Sequence, residues 1–367
     1  MNEHREQAQA LRSAPPAWWI YHGTGRPRPG FRLDQHLPAP PPWRTFAGGP
    51  VPDEDIPPDD DRESVRRIGP ADRQFAVAPE AHELDMINAA IFLRRPLLVT
   101  GPPGSGKSTL AYLIARELAL GRVLRWHITS QTTMKSSLYG YDAIGRAQAI
   151  AAARAAVPAA VEGPADIGRL LADDSLGDFI GLGPLGTAFL PSELPRVLLV
   201  DELDKSEMDL PNDLLGIFED GGFSIPELAR VSSRTPELNL FTDDPDRKAS
   251  IRSGRVLCRA FPIVVMTSNG ERDFPPAFLR RCLQLEILPP SQEKLAAMVA
   301  AQLGDSQDER QSALIREFVR TSGRDGALPA DRLLDALFLA TSGRHNPNEA
   351  SWLRMRDALW RQLTSAV

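Results

Sequence analysis

A glycine-rich octapeptide at residues 101–108, Gly-Pro-Pro-Gly-Ser-Gly-Lys-Ser, constrains the fold of this 367-residue chain more than any other feature. It matches the pattern G-x-x-x-x-G-K-[ST], follows the apolar run 96–100 and precedes a helix-forming run that begins at Thr109. With a strand before it and a helix after it, such a loop points its backbone N–H groups at phosphate oxygens. The pattern therefore predicts a phosphate-binding loop at the carboxyl end of a buried strand.

The residue types within this loop have separate roles in holding a phosphate chain. Its glycines permit a tight turn, and the start of the following helix adds a positive field. Lys107 places a positive charge near the terminal phosphates, and the Ser108 hydroxyl suits a magnesium ion. We expect the nucleotide to be bound by Gly101, Pro102, Pro103, Gly104, Ser105, Gly106, Lys107, Ser108, Thr109 and, from the next strand, Asp201.

A second apolar run, residues 196–200, ends in the acidic pair Asp201 and Glu202. Parallel sheets bind their ligands at the carboxyl ends of the strands, so both carboxylates are expected beside the loop. Asp201 is suited to hold Mg²⁺ together with Ser108. Glu202 is suited to polarise the water that attacks the terminal phosphate.

Two further features follow in the order that such a site requires. A third apolar run, residues 262–267, leads to Asn269, whose amide could contact the γ-phosphate or the attacking water, although Asn269-Gly270 is also a strong turn pair. Arg280 and Arg281 come after a helix start at Pro276. Paired arginines are often a salt-bridged surface feature, but in a ring a guanidinium offered to a neighbour's γ-phosphate stabilises transition-state charge.

The pattern of apolar runs predicts two structured domains after an unusual beginning. Helical and strand-like segments alternate over residues 79–288, which predicts an α/β domain with a doubly wound parallel sheet. Residues 289–367 contain no strand signal and are expected to form four helices, an all-helical lid. Within the α/β domain we expect insertions near 143–190, containing a glycine-rich hairpin at 181–190, and near 223–259. The second insertion carries seven basic and five acidic residues, too weak a bias for nucleic acid, and is expected to be a solvated loop.

Residues 1–78 form a proline- and tryptophan-rich arm. Twelve of the 33 prolines lie between Pro15 and Pro58, and Trp18, Trp19 and Trp43 are three of the six tryptophans. The composition permits a disordered, solvated arm. Because clustered aromatic residues are unfavourable in water, it also permits an extended strap that docks on a partner or on the chain's own core, and we favour the strap.

Bulk composition excludes several classes of protein. The formal net charge of −6 gives no basic footprint for nucleic acid, and no window reaches the ~18 apolar residues of a membrane-spanning helix. The amino terminus leads into no long apolar stretch, so we expect no signal peptide. Two cysteines without paired spacing predict a reducing, cytoplasmic setting, and the scattered histidines argue against a transition-metal site.

The order of these elements resembles the AAA+ ATPases over residues 75–345, and within them the MoxR-type branch. The branch is indicated by Gly183-Pro184-Leu185 ahead of the acidic strand, by Asp204-Lys205 after it, by the helix and turn at 214–221, and by the insertion before Asn269, which matches a hairpin of that branch. The resemblance implies ATP and Mg²⁺ as ligands and a homo-oligomeric, typically hexameric ring with ATP between subunits. It also implies Lys107 and Glu202 as catalytic groups, Asn269 as the first sensor, Arg280 or Arg281 as the arginine finger and Arg332 as the second sensor.

The resemblance further implies a von Willebrand factor A-domain protein as partner and a protein client, and some relatives belong to multi-protein bacterial defence modules. Two functions are compatible with the same residues: an ATP-hydrolysing machine that remodels a client, and a nucleotide-dependent assembly switch whose hydrolysis only resets it. A DNA-acting ATPase is a third class, and the acidic charge balance argues against it.

Overall fold

The computed structural model describes residues 15–51, 57–58, 61–70, 79–156, 173–289, 291–303, 309–325, 330–341 and 350–360. The strands are β1 Leu97–Thr100, β2 Leu124–His127, β3 Tyr139–Tyr141, β4 Ile180–Leu182, β5 Val197–Asp201, β6 Gly222–Ser224, β7 Glu237–Phe241, β8 Lys248–Arg252, β9 Arg255–Leu257, β10 Ile263–Ser268 and β11 Leu283–Glu286. The helices are α1 Leu33–His36, α2 Asp61–Ile68, α3 Ala81–Leu93, α4 Thr109–Glu117, α5 Met134–Leu138, α6 Ala143–Ala156, α7 Pro184–Ala188, α8 Leu210–Asp220, α9 Pro226–Ala229, α10 Pro276–Leu279, α11 Gln292–Leu303, α12 Glu309–Asp325, α13 Ala330–Thr341 and α14 Ala350–Trp360. Short 3₁₀ helices lie at Pro42–Arg44, Asp173–Phe179 and Leu203–Lys205.

Five parallel strands form the central sheet in the order β11-β1-β10-β5-β2. Alternate residues of its inner strands enter two different cores: Leu198 and Val200 of β5 face one, whereas Val197 and Leu199 face the other. Burial on both faces explains why these strands read as unbroken apolar runs. The doubly wound α/β prediction is therefore confirmed.

A second, six-stranded sheet was not expected. Its order is β3-β4-β7-β8-β9-β6, and it is antiparallel except where β4 runs parallel to β7. The prediction of a solvated loop over 223–259 is wrong, because β7 and β8 each alternate exposed and buried residues and bury Leu240 and Ile251. The charge count missed this half-buried alternation, which is the signature of a sheet with one wet face.

The predicted hairpin over 181–190 is also wrong. Strand β4 ends at Leu182, and helix α7 starts at once with Pro184 as its first residue, where a missing N–H costs nothing. A Cβ at Gly186 would stand 1.9 Å from the carbonyl oxygen of Leu138, so this glycine permits close packing rather than a turn.

One buried and one partly exposed ion pair connect the second sheet to the central one. Asp244, in the β7–β8 turn, accepts two hydrogen bonds from the Arg196 guanidinium at 2.7 and 2.8 Å, just before β5. Arg122, just before β2, donates to Asp243 at 3.0 Å. A bidentate pair of this kind fixes orientation as well as distance.

Residues 15–51, which we call the strap, pack on the chain's own core. Ile20, Tyr21 and Leu33 are buried beside α3 and α4, and Trp19 Nε1 donates to Asp85 at 2.9 Å. The sequence left open a solvated arm or a docked strap. The described part of the arm is a strap that docks on the chain's own core. Two tryptophans of the strap remain exposed, Trp18 at 41 % and Trp43 at 77 %.

Two side chains of the core hold the strap through its backbone. Asn88 of α3 accepts the N–H groups of Ile20 and Tyr21 at 2.8 and 2.9 Å, and its amide donates to the Tyr21 carbonyl at 2.8 Å. Glu117, at the end of α4, accepts the N–H groups of His22 and Thr24, both at 2.6 Å. Both side chains are fully buried, so the strap satisfies polar groups that would otherwise be costly.

We expect Asn88→Ala to lower the free energy of unfolding by about 2–3 kcal/mol, because it leaves buried N–H and C=O groups of the strap without partners. Urea denaturation measures the loss. Asp85→Ala, which removes one exposed hydrogen bond from the same helix, is the matched control and should cost about 0.5 kcal/mol. Equal, small losses in both variants would show that the strap is not held as described.

The carboxyl-terminal helices α11 to α14 form a separate apolar cluster that includes Leu295, Phe318, Leu337, Trp352 and Trp360. No strand occurs among the described residues after β11, which agrees with the expected all-helical lid.

Candidate nucleotide-binding site

The carboxyl ends of the central strands meet at one edge of the sheet. Thr100, the last residue of β1, lies opposite Ser268 of β10, and Asp201 of β5 lies opposite His127 of β2. The octapeptide, Glu202 and Asn269 therefore leave the sheet at the same edge. The register of a parallel sheet thus brings three distant parts of the sequence together.

Glycine is required at particular positions of the octapeptide loop. Gly101 has φ 147°, and a Cβ there would stand 2.3 Å from the carbonyl oxygen of Ile287. Gly104 and Gly106 have φ 73° and 90°, which other residues rarely adopt. Pro103 and Gly104 form the exposed tip of the loop, and α4 begins directly after Ser108.

Lys107 is 6 % exposed, and its ammonium donates to the carbonyl oxygens of Gly101 and Pro102, both at 2.8 Å. Burial lowers the pKa of Lys107 below its usual value, while Asp204, Asp201 and Glu202 act in the opposite direction. The lysine is thus held inside the loop by neutral acceptors, and its positive charge has no carboxylate in direct contact among the described residues.

Asp201 is the centre of a hydrogen-bond cluster. Its Oδ1 accepts from the hydroxyls of Ser108 at 2.6 Å and Thr267 at 2.9 Å, and its Oδ2 accepts from Arg125 at 3.0 Å. Burial alone would raise the pKa of Asp201, but these three donors outweigh it and hold the pKa below its usual value. Asp201 is therefore an anionic oxygen ligand in contact with the loop.

Glu202 has a left-handed backbone, with φ 63° and ψ 50°, which is strained for a non-glycine residue. The Thr267 hydroxyl accepts its N–H at 2.9 Å and holds this geometry. The Glu202 carboxylate is 2.9 Å from Lys205 Nζ and 4.0 Å from His127 Nε2.

Asp204 links the acidic turn to the loop that carries Asn269. It is buried, and its Oδ2 accepts the N–H groups of Asn269 at 2.8 Å and Glu271 at 3.2 Å. Asn269 itself follows β10 directly, between the ends of β1 and β5. Its position is set by a carboxylate that the sequence analysis used only to identify a branch.

Arg280 and Arg281 lie at the opposite edge of the sheet. The carbonyl of Arg280 accepts from Arg95 at 2.6 Å, beside the amino end of β1, whereas the octapeptide leaves the carboxyl end. The four residues of β1 separate these edges by about 13 Å. Arg281 pairs with Glu219, while Arg280 is exposed and has no ion-pair partner among the described residues.

Arg332 lies near the start of α13, and its guanidinium donates to the carbonyl of Leu359, near the end of α14, at 3.0 Å. This hydrogen bond of Arg332 therefore joins two helices of the lid. Another lid cation, Lys294 of α11, lines the cavity beside the octapeptide instead and is 3.7 Å from Glu83.

Sequence reasoning did not identify Arg125 and Thr267 as partners of Asp201. It also missed that Asp204 positions the backbone of Asn269. A signal existed for two of them. Arg125 is a charged residue between Leu124 and Trp126 of a strand. Thr267 is a hydroxyl residue near the end of an otherwise apolar run. Neither pattern says which carboxylate the side chain contacts, because that depends on strand order.

The donor set suits a magnesium ion with a triphosphate. The Ser108 hydroxyl and the Asp201 carboxylate are hard oxygen donors in mutual contact, which is the kind of partial ligand set Mg²⁺ uses with substrate phosphates. The described residues contain no cluster of three or more His, Cys, Asp or Glu side chains that could hold a metal by themselves. Within those parts of the chain, no helix combines the length and apolar character needed to cross a bilayer.

Comparison with known proteins gives one family and a set of solved structures. A family model described as AAA domain (dynein-related subfamily) matches residues 96–282. No curated protein matches the sequence. Similar solved structures include NtrX from Brucella abortus in complex with ADP, at 13% identity and a TM-score of 0.37, covering 78% of this chain and 56% of that one. NtrX in complex with ATP is similar at 14% identity and a TM-score of 0.36, with 73% and 52% covered.

The chain thus spans about half the length of those NtrX chains. The family model matches just over half of this chain. The matched residues include the octapeptide loop, the acidic strand and Asn269. The chain belongs to the AAA domain family, dynein-related subfamily.

Proposed function

We propose that the chain is a magnesium-dependent ATPase. The observation that carries the proposal is the 2.6 Å contact between the Ser108 hydroxyl and the Asp201 carboxylate, which joins the octapeptide loop to the acidic strand. A triphosphate in the loop would lie between these two groups and Glu202. The choice of ATP over other nucleoside triphosphates rests on the family.

Each residue in this proposal has one task. Lys107 and the loop N–H groups hold the β- and γ-phosphates, and Ser108 and Asp201 hold the metal. Bound there, Mg²⁺ would neutralise charge on the phosphate oxygens. Glu202 orients and polarises the attacking water, and Asn269 contacts that water or the γ-phosphate.

Hydrolysis is proposed to need a second subunit. AAA+ domains commonly oligomerise into rings, and the arginines at 280–281 stand at the sheet edge opposite the loop. They cannot serve the phosphate of their own chain, whereas a head-to-tail neighbour would receive them. We assign the arginine finger to Arg280, because Glu219 already holds Arg281. The role of Arg332 as second sensor requires it to leave Leu359.

The biological role is proposed from the MoxR-type resemblance. It is the remodelling or activation of a protein client in the cytoplasm by a hexameric ring, with a von Willebrand factor A-domain protein as partner and a defence module as setting. The strap distinguishes this chain from a bare AAA+ core, but its docking on α3 and α4 argues that its buried part is not the partner-binding surface.

Glu202→Gln tests the proposed chemistry. The amide keeps the size of the side chain but cannot act as a base, so ATP turnover should fall by about 10²-fold or more while ATP binding persists. Turnover is measured as phosphate release with and without Mg²⁺. A remodelling ATPase would then trap its client and stop, whereas an assembly switch would remain assembled. Turnover close to that of the wild type would contradict the role of Glu202.

A further inference from the structure

A cavity lies next to the octapeptide loop, and Asp201 is not among the described residues that line it. Ser105, Gly106 and Thr109 form one wall, α3 another, and the lid contributes Met298 and Leu334. Much of the remaining lining is apolar, including Ile87, Leu110, Leu113 and Leu285. Because the loop fixes the phosphates, an apolar space adjoining it has the position and character to receive the base and sugar of the same nucleotide.

The strap reaches into this cavity at Tyr21. The side chain is 0 % exposed and lines the cavity, yet its hydroxyl has no hydrogen-bond partner among the described residues. Buried hydroxyls are rarely left unpaired without a reason, and a ligand is one such reason. Burial raises the pKa of Tyr21 well above its usual value, with Glu117 and Glu83 acting in the same direction, so the hydroxyl keeps its proton and can donate.

The backbone of Tyr21 cannot take this role. Its N–H and C=O groups are both used by Asn88, and the next N–H, that of His22, is used by Glu117. Gly23 then turns with φ 70° against Pro79, where a Cβ would stand 2.3 Å from the proline ring. The strap is thus fixed on both sides of Tyr21, and the phenol hydroxyl is the polar group of this residue that no described residue engages.

We propose that the Tyr21 hydroxyl hydrogen-bonds the base or sugar of the bound nucleotide, so that the strap is a wall of the nucleotide site. This inference rests on the proposed function. It has a thermodynamic consequence, because a ligand that contacts the strap stabilises strap docking, and strap docking strengthens nucleotide binding by the same factor. Arg67 of α2 lines the same cavity.

Tyr21→Phe tests the inference, because it removes one oxygen atom and nothing else. Without nucleotide, the variant should be as stable as the wild type or slightly more, since the lost hydroxyl had no partner. Its ADP dissociation constant, measured by calorimetry, should rise by about 3- to 10-fold. Tyr141→Phe, in the second sheet and away from the cavity, is the matched control and should leave ADP affinity unchanged.

A nucleotide analogue that lacks sugar hydroxyls shows which part of the nucleotide the Tyr21 hydroxyl contacts. If 2′,3′-dideoxy-ADP binds the wild type and Tyr21→Phe equally, the Tyr21 hydroxyl contacts a hydroxyl of the sugar; if the same fold-loss persists, it contacts the base. Equal ADP affinity in Tyr21→Phe and wild type would overturn the inference and leave the proposed function standing. A wild-type chain that binds neither ADP nor ATP would remove the proposed function itself, and this inference with it.

Discussion

Arg280→Ala should lower ATP turnover by about 10³-fold or more while ATP affinity stays within a few-fold of the wild type. Charge develops on the γ-phosphate in the transition state, and a guanidinium supplied by a neighbour stabilises it there rather than in the ground state. Phosphate release and equilibrium ATP binding, measured on the same preparation, separate the two effects.

Arg281→Ala is the comparison for this variant. Its guanidinium is engaged with Glu219, at the end of α8, so its loss should affect turnover much less. The reverse ranking would reassign the finger to Arg281. Normal turnover in a chain that lacks both side chains would end the assignment of any finger at this edge.

Lys107→Ala should weaken ATP binding by about 100-fold or more. The ammonium is buried within the loop and would give charged hydrogen bonds to two phosphates, each contributing about 1.5–3 kcal/mol. The unliganded fold should remain intact, because the hydrogen bonds of Lys107 to described residues go to carbonyl groups of its own loop. Lys248→Ala, an exposed lysine of the second sheet, is the control. Unchanged ATP affinity in Lys107→Ala would contradict the phosphate-binding role of the loop.

The central sheet was predictable because its strands are buried on both faces and their apolar runs leave little ambiguity. The runs that end at Thr100, Val200 and Thr267 became β1, β5 and β10 within one residue at each end. The second sheet was not predicted, because its strands are short and one face is wet. The alternation in Leu238-Asn239-Leu240 was present in the sequence but was outweighed there by a count of charges.

The strap could be anticipated only in part. Clustered tryptophans favour a docked arm over a solvated one, but they do not indicate the surface on which it docks. Its anchors are Asn88 and Glu117, and nothing in the local sequence links these two side chains to residues 20–24. Contacts that span 67 to 95 positions are a property of the folded chain.

Each motif of the candidate site could be identified from its own residues. The hydrogen bonds that join one motif to another could not. The octapeptide and the acidic pair could be expected at one edge, since parallel strands share their carboxyl end. That Thr267 holds both Asp201 and the N–H of Glu202 depends on β10 lying beside β5, which the strand order decides.

The most direct test of the account is a mixing experiment with two inactive variants. Glu202→Gln subunits retain Arg280, and Arg280→Ala subunits retain Glu202, so a mixed ring contains interfaces with both groups intact. Random mixing in equal amounts should restore about a quarter of wild-type ATP turnover, because about one head-to-tail interface in four is complete. A mixture that co-assembles, as shown by co-purification of a tagged variant with an untagged one, but stays inactive would contradict hydrolysis across a subunit boundary.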